Sequence, residues 1–486
     1  MKEQQKKRNL IFYPLSTMGR DMIYALFTNF ILVFVMYTRT LTDAQLAAVT
    51  AIIVAARIFD GANDPIMGNI IERTRSKWGK FKPWLLIGML STSVVVASIF
   101  NSKLEGWSFI IFFGIIYFLF SITYTMNDIS YWGMITALST DGHSRDQFTS
   151  RATLCAGIGG TLAGVLIPMF TAGSMTIGGN SRTAYGIIAI VICILAPLFM
   201  LFTLLGVKER RDTTPAPRVS LKKIFSTIGG NDQLLWVCLV FLIQSIGNSI
   251  AASGIGTNYI YFEFGYEGGL YSLFSTIGMA ATAFLMIFYP VISKKTSRKK
   301  LMSILMLISV VGYAIEFLAG LFMVPSSTPK FIALTAGYML SNFGQYGFYL
   351  ILMISIFNTV EYNELKHGTR DEAIITSMRP FLTKLSSVLV ILITYASYRI
   401  CRVTDYTNQI SELENLAQRG LMDAAAKSAA IENVLANVSS SQTLGLLLTM
   451  TVIPVALQFA AYVIYRKKYE LDEERYAEIC QALGQQ

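Results

Sequence analysis

Histidine is nearly absent from this 486-residue sequence, which contains two, His143 and His367, both in polar stretches. The five cysteines, Cys155, Cys193, Cys238, Cys401 and Cys480, are scattered and form no CxxC pair. This scarcity argues against zinc sites, Cys/His nucleophile pairs and disulfide frameworks. Charge is also sparse. Asp, Glu, Lys and Arg make up 14% of the chain, where a soluble domain carries about 25%. Too few ionic side chains are present to cover a water-soluble surface, so soluble enzymes and disordered proteins are largely excluded. No GxSxG, HExxH or phosphate-binding glycine loop occurs, so neither hydrolytic nor ATP-driven chemistry is indicated. The chain is expected not to be an enzyme and to need no resident cofactor.

What the sequence has instead is apolar length. Residues of hydrophobic type account for 53% of the chain. Twelve apolar stretches reach the roughly 20 residues that cross a bilayer. They are 12–37, 44–71, 83–101, 107–138, 149–173, 184–206, 233–262, 269–293, 301–323, 331–360, 373–399 and 442–465. The expected fold is an all-α membrane protein of twelve transmembrane helices in two six-helix bundles. Arg20 and Asp21 interrupt the first apolar stretch, so no cleavable signal peptide is expected.

Lysine and arginine set the orientation. With both termini in the cytoplasm, the inside segments hold 28 of the 40 basic residues and the outside loops hold 7. This bias accounts for the net charge of +10, so a nucleic-acid-binding face is not the expected reading. The polar stretch 207–231, with Pro215 and Pro217, divides an N-terminal bundle (1–206) from a C-terminal one (232–465). Each half carries a basic loop after its second span, as in carriers built from two related bundles around a midplane site. Residues 466–486 form a cytoplasmic tail. The segment 402–441 is too polar to span and reads as an outer amphipathic helix over 408–436, more a solvated decoration than a lid. The location expected is the cell (inner or plasma) membrane.

Against this background some charges stand out. A carboxylate at the centre of a span costs about 2.5–3.5 kcal/mol. This chain places Asp21, Asp60, Asp64 and Asp128 inside apolar spans, and cations are the natural compensation. Asp60 and Asp64 are i,i+4 on one helical face with Asn63 beside them. Two carboxylates, an amide oxygen and the hydroxyl of Thr125, one turn before Asp128, would make an oxygen cage for Na⁺. Two other readings are a protonatable pair and a pair neutralised by Arg57 three residues earlier. Asp128 and Trp132 are also i,i+4, after Tyr124. A carboxylate beside an aromatic plate suits a sugar, the acid accepting hydroxyl hydrogen bonds and the ring packing on C–H faces. An aromatic helix face with a buried salt bridge is the alternative. Arg20 and Asp21 offer a donor fork next to an acceptor. Lys384 is alone on an apolar span, where it has either a structural pairing or a functional role. Glu316 in the ninth span is unexplained unless it faces a water-filled crevice. Gly160 and Gly164 form a GxxxG step suited to close helix packing. Arg151, at the cytoplasmic end of the fifth span, could reach a cavity or cap a loop, the cavity being favoured.

The run Arg57–Gly68, RIFDGANDPIMG, resembles the second-helix signature of the glycoside–pentoside–hexuronide:cation symporters, the melibiose-carrier-like family of the major facilitator type. Trp78–Trp84 (WGKFKPW) resembles that family's next loop, with lysines where arginines are common. Gly19–Asp21, Asp128–Trp132 and Thr359–Tyr362 followed by Gly368–Arg370 are further matches, and Lys384 falls in the expected place. The resemblance implies alternating access and sugar uptake coupled to Na⁺, Li⁺ or H⁺. It implies a cation site of Asp60, Asn63, Asp64 and Thr125. It implies sugar contacts from Arg20, Asp21, Tyr124, Asp128, Trp132 and Arg151, with Lys384 and Arg57 in coupling roles. Asn358 departs from the family's usual Asp at that position. The expected partners are a sugar or glycoside, a monovalent cation and the lipid bilayer, with no nucleic acid, and the chain is expected to act as a monomer. The competing functions are a cation-coupled carrier of a lysolipid or other amphiphile and a sugar sensor that does not transport.

Overall fold

The computed structural model describes residues 3–139, 142–209 and 221–484. Among these residues the regular structure is helical, with no strand. In chain order the first helices are α1 (Glu3–Thr38), α2 (Asp43–Arg73), α3 (Lys82–Phe100), α4 (Gly106–Leu138), α5 (Gly142–Thr171) and α6 (Ser181–Gly206). After them come α7 (Leu221–Gly230), α8 (Asp232–Ile250), α9 (Ile255–Phe264), α10 (Gly268–Lys295), α11 (Arg298–Phe322), α12 (Thr328–His367) and α13 (Glu372–Ile400). The last four are α14 (Val403–Gln418), α15 (Ala424–Ala436), α16 (Ser440–Lys468) and α17 (Glu473–Ala482). Helix is the form that satisfies every backbone polar group within one segment, as the interior of a bilayer demands.

Eleven spans among the described residues are long and apolar enough to cross a membrane. They take in every stretch expected from the sequence except 269–293, which falls in α10, where several side chains lie outside the described set. One of the eleven, Asp232–Phe264, is a broken helix. α8 passes through a 3₁₀ turn at Ala251–Ser253 and reaches α9 through Gly254, whose φ of +99° lies in the left-handed region that glycine tolerates best.

The chain divides into two compact units. The first comprises Met1–Ala216, Gly265–Leu273 and Arg402–Val438. The second comprises Pro217–Phe264, Phe274–Cys401 and Ser439–Gln486.

In the first unit α1 is central, packing on α5 and α6. It is pinned to α4 by a reciprocal pair: Tyr13 Oη donates to the Tyr131 carbonyl (2.7 Å), and Tyr131 Oη donates to the Tyr13 carbonyl (2.9 Å). Their rings stack with centroids 4.3 Å apart. The α1–α5 crossing does not use the expected glycines. Nothing lies near a Cβ built on Gly160 or Gly164, whereas one on buried Gly159 would collide with the Met18 backbone. The register of the helix places Gly159, one residue earlier, at the crossing.

The outer segment also differs from expectation. It is two helices, α14 and α15, broken at Gly420 (φ +71°) and restarted by the Asp423 side chain, which caps the Ala426 amide. It is no loose decoration, because it docks on the first unit. Asn408 accepts from the Leu41 amide (2.8 Å) and donates to the Leu41 carbonyl (2.9 Å). Glu414 is fully buried, pairs with Lys427 at 3.1 Å and accepts from the Ser181 amide at 2.7 Å. Burial pushes the Glu414 carboxyl above its usual range, while Lys427 and Ser181 pull it back.

In the second unit α11 and α12 form the most extensive pair, and α8 packs on α16, α13 and α12. Close approach of α11 and α12 depends on Gly312, Gly337 and Gly344, each of which meets the facing helix where a Cβ would stand. Glu316 is fully buried at this seam, not in a crevice. In the same unit, Asp472 caps α17 through the Arg475 amide (3.1 Å) and holds Lys299 at 3.0 Å.

Candidate functional site

All but one of the candidate site residues fall in the first unit, on α1, α2, α4 and α5. Arg20 is their centre. It is buried on α1, and its guanidinium bridges two acids. Nη2 lies 2.9 Å from Asp21 Oδ2, and Nη1 lies 2.9 Å from Asp128 Oδ1 on α4. The rings of Tyr131 and Trp132 lie 5.0 and 5.1 Å from the guanidinium carbon, within cation–π range. The acids are more open than the arginine. The Asp128 side chain is 39% exposed and that of Asp21 22%, against 4% for Arg20. One guanidinium thus serves two carboxylates, and Trp132, half-buried, stands one turn beyond Asp128.

Thus Arg20, Asp21, Asp128 and Trp132 are brought together. Tyr124 lies within electrostatic reach of Arg20, Asp21 and Asp128, its ring stacked on Phe120 and tilted against Tyr24 at 4.9 Å. Arg151 makes no hydrogen bond to this group among the described residues: it is exposed on α5, nine residues past Gly142, and donates to the Leu10 carbonyl at 3.3 Å.

The second constellation lies between α2 and α4. Thr125 Oγ1 is 3.4 Å from Asp64 Oδ1. Asn63, buried, donates to the Ser121 carbonyl at 3.4 Å. Ser121 Oγ donates to Asp60 Oδ1. The four residues singled out in the sequence therefore do meet across one helix pair, and Ser121 is an oxygen donor that the sequence reading missed. The available signal was its position one turn before Thr125 on the face that also carries Asp128. Among the described residues no three His, Cys, Asp or Glu side chains cluster as a metal site. Two acids plus hydroxyl and amide oxygens suit a monovalent cation better than a divalent one, which draws on more carboxylates. Arg57 interacts with the hydroxyls of Tyr24 and Tyr117 and with the charge of Asp60, so it is not committed to the acid pair alone. Tyr24 was likewise not foreseen.

Lys384 stands on α13 in the second unit, half-buried, one turn before Ser387, whose hydroxyl donates to its carbonyl at 2.6 Å.

Apolar spans that cross a bilayer and gather polar groups on their helix faces are the make-up of a multi-pass membrane protein. Comparison with known proteins fixes the class. The model of the MFS/sugar transport protein family matches residues 12–473, and the chain belongs to this family, with the glycoside–pentoside–hexuronide symporters of the major facilitator type. The chain is 29% identical over 406 residues to a lactose permease of Leuconostoc lactis, covering 79% of this chain and 61% of that protein. It therefore spans less than two thirds of that relative. It is 27% identical to a raffinose carrier protein of Pediococcus pentosaceus, with 96% and 70% covered. A glucuronide carrier protein homolog of Escherichia coli is 23% identical, with 80% and 82% covered. Among solved structures, a bacterial homolog of the human lysosomal transporter Spinster aligns with TM-score 0.64 at 13% identity, over 96% of this chain and 99% of that one. The nucleoside transporter NupG aligns with TM-score 0.57 at 13% identity, over 94% and 99%. At such identities these two likenesses establish the fold.

Proposed function

We propose that this protein is a secondary active transporter of the cell membrane that carries a sugar or glycoside together with a monovalent cation, Na⁺ by preference and H⁺ or Li⁺ otherwise, by alternating access. It would do so with twelve transmembrane helices and both termini in the cytoplasm. The observation that carries this reading is the double use of α4. One stretch of that helix presents Ser121 and Thr125 to the acids of α2, and one turn later it presents Asp128 to Arg20 of α1. A cation held by Asp60, Asn63, Asp64, Thr125 and Ser121 would fix α4 against α2. That would set the position of Asp128 and Trp132 for a sugar whose hydroxyls donate to Asp21 and Asp128 and accept from Arg20. Coupling is then a reciprocal free energy between two sites that share one rigid helix. Tyr124 would flank the sugar, Arg151 would contact it from α5, and Arg57 and Lys384 would act in coupling. The names of the permease and carrier relatives favour a sugar over an amphiphile.

The test is uptake of a panel of labelled glycosides into vesicles carrying the protein, with and without an inward Na⁺ gradient, and with a proton gradient. Accumulation of one or more glycosides only under a cation gradient is expected. Failure of every glycoside to accumulate under either gradient would refute the proposal.

A further inference from the structure

The second unit contains an acid for which the transport reading has no use. Glu316 lies on α11 with no exposure to solvent. Three helices enclose it. A Cβ on Gly337 of α12 would sit 2.7 Å from Glu316 Cγ, so the α12 backbone lies directly against the side chain. Ser341, one turn further along α12, donates its hydroxyl to Glu316 Oε1 at 2.6 Å. Ser309, on the same helix as Glu316, reaches the Ser341 carbonyl (3.4 Å) and Gln458 Oε1 of α16 (2.6 Å), which ties the third helix into the same polar chain. Glu316 Oε2 is buried and receives no hydrogen bond among the described residues.

Among the described residues no cation is bound to this carboxyl. Among the described residues, the titratable or charged groups that pack toward it from its own and neighbouring helices are neutral or already committed. Tyr313, one turn earlier on α11, accepts from Gln345 at 3.1 Å. Tyr338 of α12 stacks on Phe274. Tyr259 of α9 brings its hydroxyl, without a partner among the described residues, to Gly320 one turn beyond Glu316. Glu263 of α9 and Lys330 of α12 are bound to each other at 2.6 Å. α16 contributes the uncharged Gln458.

An ionised carboxylate offers about four acceptor positions and needs donors or a cation for them. Enclosed with one hydroxyl donor and no positive charge, it would forfeit far more solvation than it recovers. The undissociated acid forfeits much less, since it keeps Ser341 on the carbonyl oxygen and leaves a single O–H unmatched. We propose that Glu316 is a proton-binding site of the second unit, occupied while α11 and α12 are packed as described and vacated when they part. On release the Oε2–H bond breaks, the electron pair stays on the carboxylate, and the proton passes to entering water. The seam is suited to this role. The glycines that let α11 and α12 approach so closely also exclude the water that would ionise the acid, so protonation and helix closure stabilise each other. This inference is independent of the sugar and cation assignments in the first unit.

Infrared difference spectroscopy on the purified full chain in lipid tests it, comparing wild type with Glu316→Gln and Ser341→Ala at neutral pH. The wild-type protein should show the carbonyl stretch of an undissociated carboxylic acid, lost in Glu316→Gln and displaced to higher frequency in Ser341→Ala. A Glu316→Gln spectrum that keeps the full acid band would overturn the proposal, and so would a Ser341→Ala band at the wild-type position. Should Glu316→Gln not fold, the Ser341→Ala arm decides alone. A second readout is thermal stability against pH. The wild type should lose stability as pH rises, and Glu316→Gln should flatten that loss. An unchanged wild-type profile in Glu316→Gln would refute the assignment.

Discussion

Arg20 Nη1 and Asp128 Oδ1 stand 2.9 Å apart although 108 residues separate them in the chain. The pair joins α1 to α4 at the point where Asp21 offers the same guanidinium a second carboxylate. Because two acids share one base, either can exchange a protein partner for a ligand hydroxyl without stranding a buried charge.

Removing Asp128 tests that sharing. Asp128→Ala leaves Arg20 paired with Asp21, so the fold should survive. Hydrogen bonds to a charged group contribute about 1.5–3 kcal/mol each, so losing the acceptor should weaken sugar binding by at least one order of magnitude. Calorimetric titration of the glycoside identified by vesicle uptake measures this, and an unchanged affinity would contradict the role given to Asp128.

Asp60→Cys should uncouple transport. The variant keeps the α1–α4 site, so sugar binding and downhill exchange should persist while accumulation against a gradient is lost. Cation stimulation of sugar affinity, expected at about 5–150-fold for a coupling of 1–3 kcal/mol, should vanish. Equilibrium exchange and gradient-driven uptake measured side by side distinguish these outcomes. A variant that still concentrates sugar normally defeats the cation assignment.

The α1–α5 crossing gives a paired prediction on stability. Gly159→Leu forces a side chain into the Met18 backbone and should destabilise the protein by about 1–3 kcal/mol or more. Gly160→Leu, at a position with open space, should change stability little. Thermal unfolding of both variants in the same detergent tests the contrast, and equal effects would show that the crossing was misassigned.

The C-terminal helix should loosen in acid. The Arg475 amide and the Lys299 ammonium hold the Asp472 carboxyl below its usual range. A depressed carboxylate contributes stability above the ordinary carboxylate range and loses it as pH falls through its folded-state value. Asp472 is partly exposed, so the ion pair itself is worth less than about 1 kcal/mol, and loss of the cap adds about 0.5–2 kcal/mol. Amide exchange in α17 should accelerate on acidification in the wild type, and Asp472→Asn should show fast exchange already at neutral pH.

The sequence made the helical class legible because apolar runs of bilayer length have few other interpretations. It made most of the candidate site legible because acids inside such runs need a reason to be there. Asp60, Asn63 and Asp64 could be grouped from helical spacing, and Thr125 was offered as a hydroxyl from a neighbouring helix by its place one turn before Asp128. That Ser121 completes the group depends on the rotation of α4 against α2, a tertiary quantity that spacing along one helix does not encode. The same holds for Gly159: the sequence offered a stripe of glycines, and only the crossing geometry selects among neighbours one residue apart. Glu316 was visible as an anomaly. Its enclosure followed only from Gly337 and Ser341 on another helix. The outer segment misled because its polar composition is that of a solvated surface helix, while its Glu414–Lys427 pair is internal.

That outer segment also constrains biogenesis. The first unit is completed by residues 402–438, with Glu414 seated on the Ser181 amide. A domain that a ribosome could otherwise finish early must therefore wait, with the Ser181 end of α6 uncovered, until residues 402–438 have been made. Truncated products ending before this segment would leave the membrane with an unfinished first half, marked for quality control by the contact that never formed.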